Sequence, residues 1–507
     1  MAAPQFFSFL LALCILSISA DMGFYSIDCG SSTSYKDGNL IDWTGDDEYR
    51  GNNGESHSVS SSNSISHVMD TLRVFTTGKK NCYHIGSVKQ GRVLVRASFY
   101  YGNYDSKSLP PTFDLHFDGN HWTTVETSST EVVYHEVTYV MKTNSISVCI
   151  AQTNPGEFPF ISALEVRSLE SDMYSHIGDS LPLLLRRRIA FGANSTIRYP
   201  DDPYDRMWTP EVISNGLIKV SSINATFGNM LQLKDQPPPA VLKSAVTANS
   251  PKSGIQVFMG FPPVEVPVYL NFYFSEVIQL RPDQTRSFIV FKDNMSFSKP
   301  VFPPYGNCTQ LYTNNTRASS STTFSLVRTV DSTLPPLINA METFVVGDVL
   351  TNGTNNGDVQ GLASLQKAFA VLQDWRGDPC LPAPYTWDWV DCSTDPTPRV
   401  TAMFLGNFGL SGILPDFSSM DALETIDFHN NSLQGPIPDF LGTFSDLKTL
   451  VTGNPNLCTS VTSCPTSSKN PIVNLACSIK CGNILTILFG TIIPFLIIPF
   501  RENHAGI

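Results

Sequence analysis

The stretch from Leu372 to Cys392 reads LQDWRGDPCLPAPYTWDWVDC and separates two regions of different sequence pattern. Two cysteines, Cys380 and Cys392, bracket a segment that is rich in tryptophan and proline. A short loop of this composition is typical of a disulfide-closed cap on a repeat stack, because a terminal repeat otherwise exposes its core. We therefore expect Cys380 and Cys392 to be bridged, with β-structure before this joint and a short repeat after it.

The composition indicates an exported protein. The 507 residues carry a net charge of −12, and charged residues amount to 15%, below the usual ~25%. Apart from Arg186–Arg188 there is no basic run, so no nucleic-acid partner is expected, since phosphate neutralisation needs a basic face. The apolar run Phe6–Ile18 is followed by small residues, which predicts a signal peptide at 1–20. The alternative is a buried first helix.

Cysteines and glycosylation sequences agree with export. Cleavage of the leader removes Cys14 and leaves an even number of cysteines, which implies disulfides. No cysteine pair has zinc-finger spacing with histidines behind it, so neither a metal nor a cofactor is expected. Four cysteines can pair in three ways, so this pattern leaves open the pairing among Cys29, Cys82, Cys149 and Cys308. Seven Asn-x-Ser/Thr sequons predict surface glycans, at Asn194, Asn224, Asn294, Asn307, Asn314, Asn352 and Asn430.

Residues 24 to about 345 have the alternation of antiparallel sheets with one buried face, as in Val268–Phe274. This region also repeats internally. Pro159–Glu165 matches Pro336–Glu342, and the strand with Phe113 has a counterpart with Phe288. Both offsets are about 175 residues, which argues for two tandem modules, each large enough for a β-sandwich with its own core.

Several motifs in this region resemble, in order, the malectin-like domain of plant receptor-like proteins: Ile27–Gly30, Asn81–Tyr83, Ala97–Asp105, Arg198–Arg206 and Leu334–Ala340. The resemblance covers residues 24–345. It implies a mostly β fold of tandem malectin-type β-sandwiches, at about 24–170 and 205–345, joined near 172–210.

A helix and a capped linker are predicted over residues 358–392. Apolar residues fall at helical spacing between Asp358 and Trp375, at Leu362, Leu365, Phe369 and Leu372. The tetrad Gly377–Cys380 is similar to the GDPC linker of symbiosis-receptor-type malectin-like proteins. Arg376–Asp378 also spells an integrin-binding tripeptide, which we interpret as chance.

From Val400 onward, residues 400–464 have the period of a short plant-type leucine-rich repeat solenoid. Apolar, Gly and Pro positions recur after 23 residues, as in Leu410 and Leu433. Asn431 is the one complete asparagine position; with Phe408 and Pro455 as its counterparts, a broken asparagine ladder is expected. Cys458 and Cys464 are expected to cap the far end.

The tail contains an apolar run from Ile484 to Phe500. It spans 17 residues, at the short limit of the ~17–25 that a membrane helix needs. A single membrane span is therefore predicted, which places an extracellular ectodomain at the plasma membrane; a GPI signal is the less favoured alternative. Truncation of a longer receptor is a further alternative.

No catalytic motif of a kinase or an α/β-hydrolase occurs in the 507 residues, so enzyme activity is not expected. Sugar binding is favoured, because aromatic faces cover sugar C–H edges and polar side chains read hydroxyls. The candidate ligand-binding residues are Tyr100, Tyr101, Tyr104, Asp105, Tyr35 and Trp122. The alternative is that these aromatics fill a sandwich core. Ile278 and Gln279 replace the aromatic pair of diglucose-binding malectin, which argues against diglucose in the second module.

The sequence thus favours a receptor-like protein that binds an oligosaccharide or cell-wall polysaccharide. The alternative is a protein-interaction co-receptor or scaffold whose repeats pair with a receptor kinase ectodomain. An extracellular hydrolase is the third and least favoured hypothesis.

Overall fold

The computed structural model describes residues 23–458, apart from residues 52, 214, 223–225, 228–232, 251 and 445–446. The leader at 1–20, the sequon residue Asn224, Cys464 and the apolar segment 484–500 lie outside the described residues. Within the described residues, no helix is both long enough and apolar enough to span a membrane.

The first module is built from short strands separated by turns. Its alternating apolar residues face a shared core, which includes Val93, Val95 and Phe99 with no exposed surface. The strands are β1 (Phe24–Asp28), β2 (Tyr35–Lys36), β3 (Asp42–Gly45), β4 (Glu55–Ser58), β5 (Thr71–Val74), β6 (Lys80–Ile85), β7 (Arg92–Phe99), β8 (Thr112–Phe117), β9 (Asn120–Glu126), β10 (Val133–Val140), β11 (Ile146–Gln152), β12 (Phe160–Ile161) and β13 (Ala163–Ser168).

The second module follows the same plan and adds one helical turn, α1 (Pro239–Leu242). Its core contains Phe272, Phe274 and Phe288. The strands are β14 (Leu183–Ala190), β15 (Thr209–Pro210), β16 (Leu217–Ser221), β17 (Ser244–Ala248), β18 (Ile255–Val257), β19 (Val266–Phe274), β20 (Phe288–Lys292), β21 (Met295–Ser296), β22 (Thr309–Ala318), β23 (Phe324–Arg328), β24 (Leu337–Ile338) and β25 (Ala340–Val346).

The strand pairings confirm the internal repeat. The four-stranded sheet β6-β11-β8-β9 of the first module has the order of β18-β23-β20-β21 in the second. The three-stranded sheets β12-β5-β4 and β24-β17-β16 match in the same way. Phe113 and Phe288 lie on the equivalent strands β8 and β20, as the sequence offset predicts.

One sheet runs through both modules. Its order is β1-β13-β7-β10 in the first module and β14-β25-β19-β22 in the second, with β10 paired directly to β14. The expected join at 172–210 therefore contains a sheet strand, and the second module begins at Leu183 rather than near 205. The sequence pattern does not predict strand β14, because it contains Arg186–Arg188, and three consecutive arginines do not have the apolar alternation of a half-buried strand.

Buried ion pairs line the seam between the modules. Arg188 on β14 lies 2.7 Å from Glu136 of the first module and 2.7 Å from Glu342 of the second. All three side chains are fully buried, and Glu136 also contacts Arg96 at 2.9 Å. Since a buried charge is tolerated only with partners, these pairs fix how the two modules meet. Within the most basic run in the chain, Arg188 thus serves the interior, whereas Arg186 is exposed.

Of the four cysteines whose pairing was open, Cys82 on β6 and Cys149 on β11 form a disulfide. Cys29 and Cys308 are buried thiols in the cores of different modules. The even cysteine count implied disulfides, and among these four residues they are limited to the bridge between Cys82 and Cys149. Such buried thiols behave as small apolar groups.

The predicted helix is α2 (Asn356–Ala368), which is followed by a 3₁₀ turn at Ala370–Leu372. It leads into the joint as expected, and the α-helix ends at Ala368 because Phe369 adopts extended backbone angles. The apolar stripe is buried against the repeat region. At Gly361 an added Cβ would lie 2.3 Å from Met420, so glycine permits this close packing.

The repeat region contains β26 (Val390–Cys392), β27 (Val400–Phe404), β28 (Ser411–Gly412), β29 (Thr425–Asp427), β30 (Ser432–Pro436), β31 (Lys448–Leu450) and β32 (Asn456–Cys458). The strands β27, β29 and β31 form one parallel sheet, and β28, β30 and β32 form a second. A disulfide joins Cys380 to Cys392 ahead of the first turn, as the capped joint predicts. Cys458 is also disulfide-bonded.

The expectation of a broken asparagine ladder is wrong for the last turn. Asn431 accepts a bond from Leu410 N at 2.9 Å, and Asn454 accepts one from Leu433 N at 3.0 Å. The counterpart of Asn431 is thus Asn454 rather than Pro455. Both side chains also donate to buried backbone carbonyls, which explains their burial.

Candidate ligand-binding cleft

The tyrosines after β7 mainly serve the core of the first module. Tyr100 and Tyr101 are only 4% and 1% exposed. The Tyr100 hydroxyl donates to Asn63 O at 2.7 Å, and the Tyr101 hydroxyl donates to Asp105. Tyr104 is half-buried, with its ring 5.6 Å from that of Tyr101. Of this predicted group, only Tyr104 and Asp105 have side chains that a ligand could reach.

The two remaining predicted residues do not join this group. Trp122 is 4% exposed and packs edge-on against Phe117 at 5.8 Å, so it belongs to the core. Tyr35 is half-buried; its hydroxyl donates to Asp28 at 2.9 Å, and its ring lies 4.2 Å from His67. The sugar-stacking prediction is therefore wrong for Tyr100, Tyr101 and Trp122, because their rings are enclosed by neighbouring side chains.

A cavity suited to a ligand lies elsewhere, between the first module and the joint. It has a volume of about 490 Å³. One wall comes from the end of β10 and from Asp118 and Asn120 beside β9. The opposite wall comes from one face of α2 and from Trp375–Pro379. The segment 350–354 forms the third side. Its size is within the range of small-ligand sites.

Two lysines of the first module hold the segment 350–354 and the joint in place. Lys142 Nζ donates to Thr351 O at 2.9 Å and to Asn352 Oδ1 at 2.8 Å. Lys80 Nζ donates to Asp378 O at 2.7 Å and to Leu381 O at 2.9 Å. These charge-assisted bonds fix segments that lie far apart in sequence.

The first two residues of the GDPC tetrad, Gly377 and Asp378, both have a structural role in the joint. Gly377 has a φ of +76°, and an added Cβ would lie 2.6 Å from Cys82 Sγ, so the backbone packs directly on the disulfide. The carboxylate of Asp378 accepts from the backbone of Thr354 at 2.8 Å and of Cys380 at 2.9 Å. Because Asp378 is used inside the joint, it is not free to act in an integrin-type tripeptide.

The charged groups of the cleft differ in how fully they are paired. Asp118 accepts from the Tyr139 hydroxyl at 2.6 Å and from Ser147 N at 2.7 Å, and burial raises the pKa of its carboxyl to about 6. Burial and the nearby Arg376 lower the pKa of His84. Arg376 Nε is buried, and no described residue offers it a hydrogen bond. Arg376 thus has a buried donor that the described residues leave unused.

Trp375 is the half-buried aromatic ring of the cleft. Its ring centroid lies 6.3 Å from those of Trp387 and Trp389, both of which are buried. Sequence reasoning interpreted these tryptophans only as cap residues. The cleft itself has no linear signal, since its walls come from chain segments more than 200 residues apart.

The comparison with known families agrees with this architecture. A family model described as the malectin-like domain matches residues 27–346. This chain belongs to the malectin-like family. The match covers both sandwich modules and ends where β25 ends, ahead of the joint and the repeats.

Curated relatives of this malectin-like protein include receptor-like kinases. A probable leucine-rich repeat receptor-like serine/threonine-protein kinase of Arabidopsis thaliana is 34% identical over 435 residues, 82% of this chain and 50% of the relative. An uncharacterized Arabidopsis thaliana protein is 36% identical over 369 residues, 70% of each chain. The chain spans about half the length of the receptor-kinase relatives it matches. It is thus similar to the ectodomains of plant receptor-like proteins.

Solved structures share the fold at low sequence identity. The ANXUR1 extracellular domain from Arabidopsis thaliana has a TM-score of 0.55 and 14% identity, covering 64% of this chain and 97% of that chain. The plant receptor-like kinase FER has a TM-score of 0.53 and 18% identity, covering 64% and 96%. A further structure contains the plant peptide RALF23 with FER and LLG2, with a TM-score of 0.52 and 15% identity, covering 64% and 95%.

Proposed function

We propose that this malectin-like chain is the extracellular part of a plasma-membrane receptor-like protein that binds a cell-wall carbohydrate in the cleft between its first module and its joint. The observation that carries the proposal is the 490 Å³ cavity, which combines the half-buried ring of Trp375 with polar residues such as Gln373 and Ser145 in its lining. An aromatic face with convergent polar groups suits a sugar, whose C–H faces are apolar and whose edges carry hydroxyls.

The polar lining supports this choice of ligand. Gln373, which carries an amide, and Ser145, which carries a hydroxyl, line the same cavity. Such groups read hydroxyls through neutral hydrogen bonds. The walls are held by the lysine bonds, so the cleft is largely formed before a ligand arrives, which lowers the ordering cost of binding.

The test is calorimetric titration of the glycosylated ectodomain, residues 21–476, with a panel of neutral and acidic wall oligosaccharides. Trp375→Leu is expected to weaken binding at least about tenfold, or ~1.4 kcal/mol. Tyr104→Ala is the matched control, since it removes an aromatic ring from the loop after β7 and leaves the cleft intact. Failure of the whole panel to bind, or a larger loss from Tyr104→Ala than from Trp375→Leu, would contradict the proposal.

A second candidate function is protein recognition by the repeats. Phe404, Asp427 and Leu450 are in register across β27, β29 and β31, and Phe404 and Leu450 are 42% and 41% exposed. Two exposed apolar side chains flanking an acidic one suit a small contact with a receptor kinase ectodomain. Phe404→Asp with Leu450→Asp should abolish capture of such an ectodomain; capture that persists would contradict this function.

A further inference from the structure

One predicted glycan site lies at the cleft. Asn352 is exposed, lines the cavity and begins an Asn-Gly-Thr sequon. Its Oδ1 accepts from Lys142 Nζ at 2.8 Å, and that lysine also donates to Thr351 O. This arrangement uses the amide oxygen, so attachment of a glycan to Nδ2 leaves the lysine contact possible. Lys142 therefore holds Asn352, the residue to which a glycan would be attached, at the rim of the cleft.

The other described sequons lie away from this cavity. None of their asparagines lines it, although all are exposed: Asn194, Asn294, Asn307, Asn314 and Asn430. Asn194 provides the nearest structural match, since its Oδ1 also accepts from a lysine, Lys219 Nζ, at 3.2 Å. Among the described sequons, Asn352 is thus the one whose asparagine lines the cavity.

The sequon threonine constrains when a glycan can be attached. Thr354 is 2% exposed and its backbone N donates to Asp378 at 2.8 Å, so this hydroxyl residue is enclosed in the folded joint. Attachment therefore has to precede the closing of the joint. The glycan is then present when the cleft forms around its anchor.

We propose that the N-glycan on Asn352 lies over the cleft, covers Trp375 and thereby regulates access of free ligand. The regulatory part rests on the proposed function, whereas the covering of Trp375 does not. The proximal sugars of this glycan have the apolar faces and hydroxyl edges for which the cleft is suited. A group tethered at the rim acts at an effective concentration on the order of millimolar, so even weak contacts keep it in place.

The tryptophans make this proposal measurable without any ligand. Trp375 is half-buried, whereas the other five are at most 5% exposed: Trp43, Trp122, Trp208, Trp387 and Trp389. Acrylamide quenching of the native protein therefore reports mainly on Trp375. The variants are Asn352→Gln and the matched control Asn194→Gln, each with site occupancy measured by mass spectrometry and folding checked by thermal melting.

We expect quenching to rise in Asn352→Gln and to stay at the wild-type value in Asn194→Gln. Trimming the wild-type glycans to single N-acetylglucosamine residues under native conditions should also raise it, which tests the same idea without a substitution. An unoccupied Asn352, or equal quenching in all forms, would overturn the inference.

A titration with the wall-oligosaccharide panel tests the regulatory part. If the glycan covers the cleft nine-tenths of the time, its removal should tighten binding about tenfold. Equal affinity of wild type and Asn352→Gln would overturn regulation. If no oligosaccharide binds either form, the proposed function fails, while the quenching result still decides whether the glycan covers Trp375.

Discussion

Replacement of Gly377 by alanine is expected to loosen the joint from the first module. The new Cβ would lie 2.6 Å from Cys82 Sγ and 2.8 Å from Cys149 Sγ. A backbone φ of +76° adds a cost of roughly 1–2 kcal/mol for any residue with a Cβ. Overpacking against the disulfide adds about 1–3 kcal/mol, because neither sulfur can move away freely. The free energy of unfolding should fall by about 2–5 kcal/mol.

Gly78 supplies the control for the backbone term. It lies in the first module, on which the joint packs, and has a φ of +74°; the nearest side-chain atom would be 3.5 Å from an added Cβ. Gly78→Ala should therefore cost only about 1–2 kcal/mol. The difference between the two variants isolates the contact with the disulfide.

The assay is urea unfolding of the glycosylated ectodomain, followed by tryptophan fluorescence. The ring cluster of Trp375, Trp387 and Trp389 is part of the joint and reports its loosening. Gly377→Ala should shift the transition of this signal to lower urea concentration than Gly78→Ala does. Equal shifts for the two variants would refute the close packing of the joint on the disulfide.

Three further outcomes are expected. Burial raises the pKa of the Asp118 carboxyl to about 6, above the ordinary 3.8, so the folded state binds the carboxyl proton more tightly than the unfolded state. The free energy of unfolding should therefore fall as pH rises from about 4 to 6. Asp118→Asn should remove this part of the pH dependence of the melting temperature. An unchanged slope would show that another group titrates. Phe428→Asp places a charge in a fully buried position and should unfold the repeats, seen as loss of protection in hydrogen exchange of 400–458; retained protection would show that the repeat register is wrong. Arg188→Met leaves two buried carboxylates without their shared partner and should cost about 3–5 kcal/mol in urea unfolding, whereas the exposed Arg186→Met should cost less than ~0.5 kcal/mol; similar losses would contradict the buried seam.

The sequence predicted the features that depend on local pattern. Alternation in Val268–Phe274 matches the buried strand β19, and the offset of about 175 residues matches equivalent strands in the two modules. The bridge from Cys380 to Cys392 follows from their short spacing and the composition between them. These features are visible because the residues involved lie close together or recur at a fixed period.

Features formed by distant segments were missed. Three consecutive arginines in β14 conceal the strand that joins the two modules, because the carboxylate partners of Arg188 lie on the distant strands β10 and β25. Tyr100 and Tyr101 were interpreted as ligand contacts, since a cluster of tyrosines has the same composition whether it faces solvent or a core. The cleft was not predicted, because one of its walls comes from the first module, which lies more than 200 residues away in sequence from the stretch 350–379 that supplies the other two.

The contact between Lys80 and the joint has a consequence for biosynthesis. The two bonded residues Lys80 and Asp378 are 298 positions apart, with the whole second module between them. At a synthesis rate of ~5–20 residues per second, the first module waits roughly 15–60 s before its partner segment emerges. During that interval, the face that will carry the joint is exposed, and folding enzymes and chaperones can act on it. A fragment that ends at residue 346 would keep this immature surface permanently.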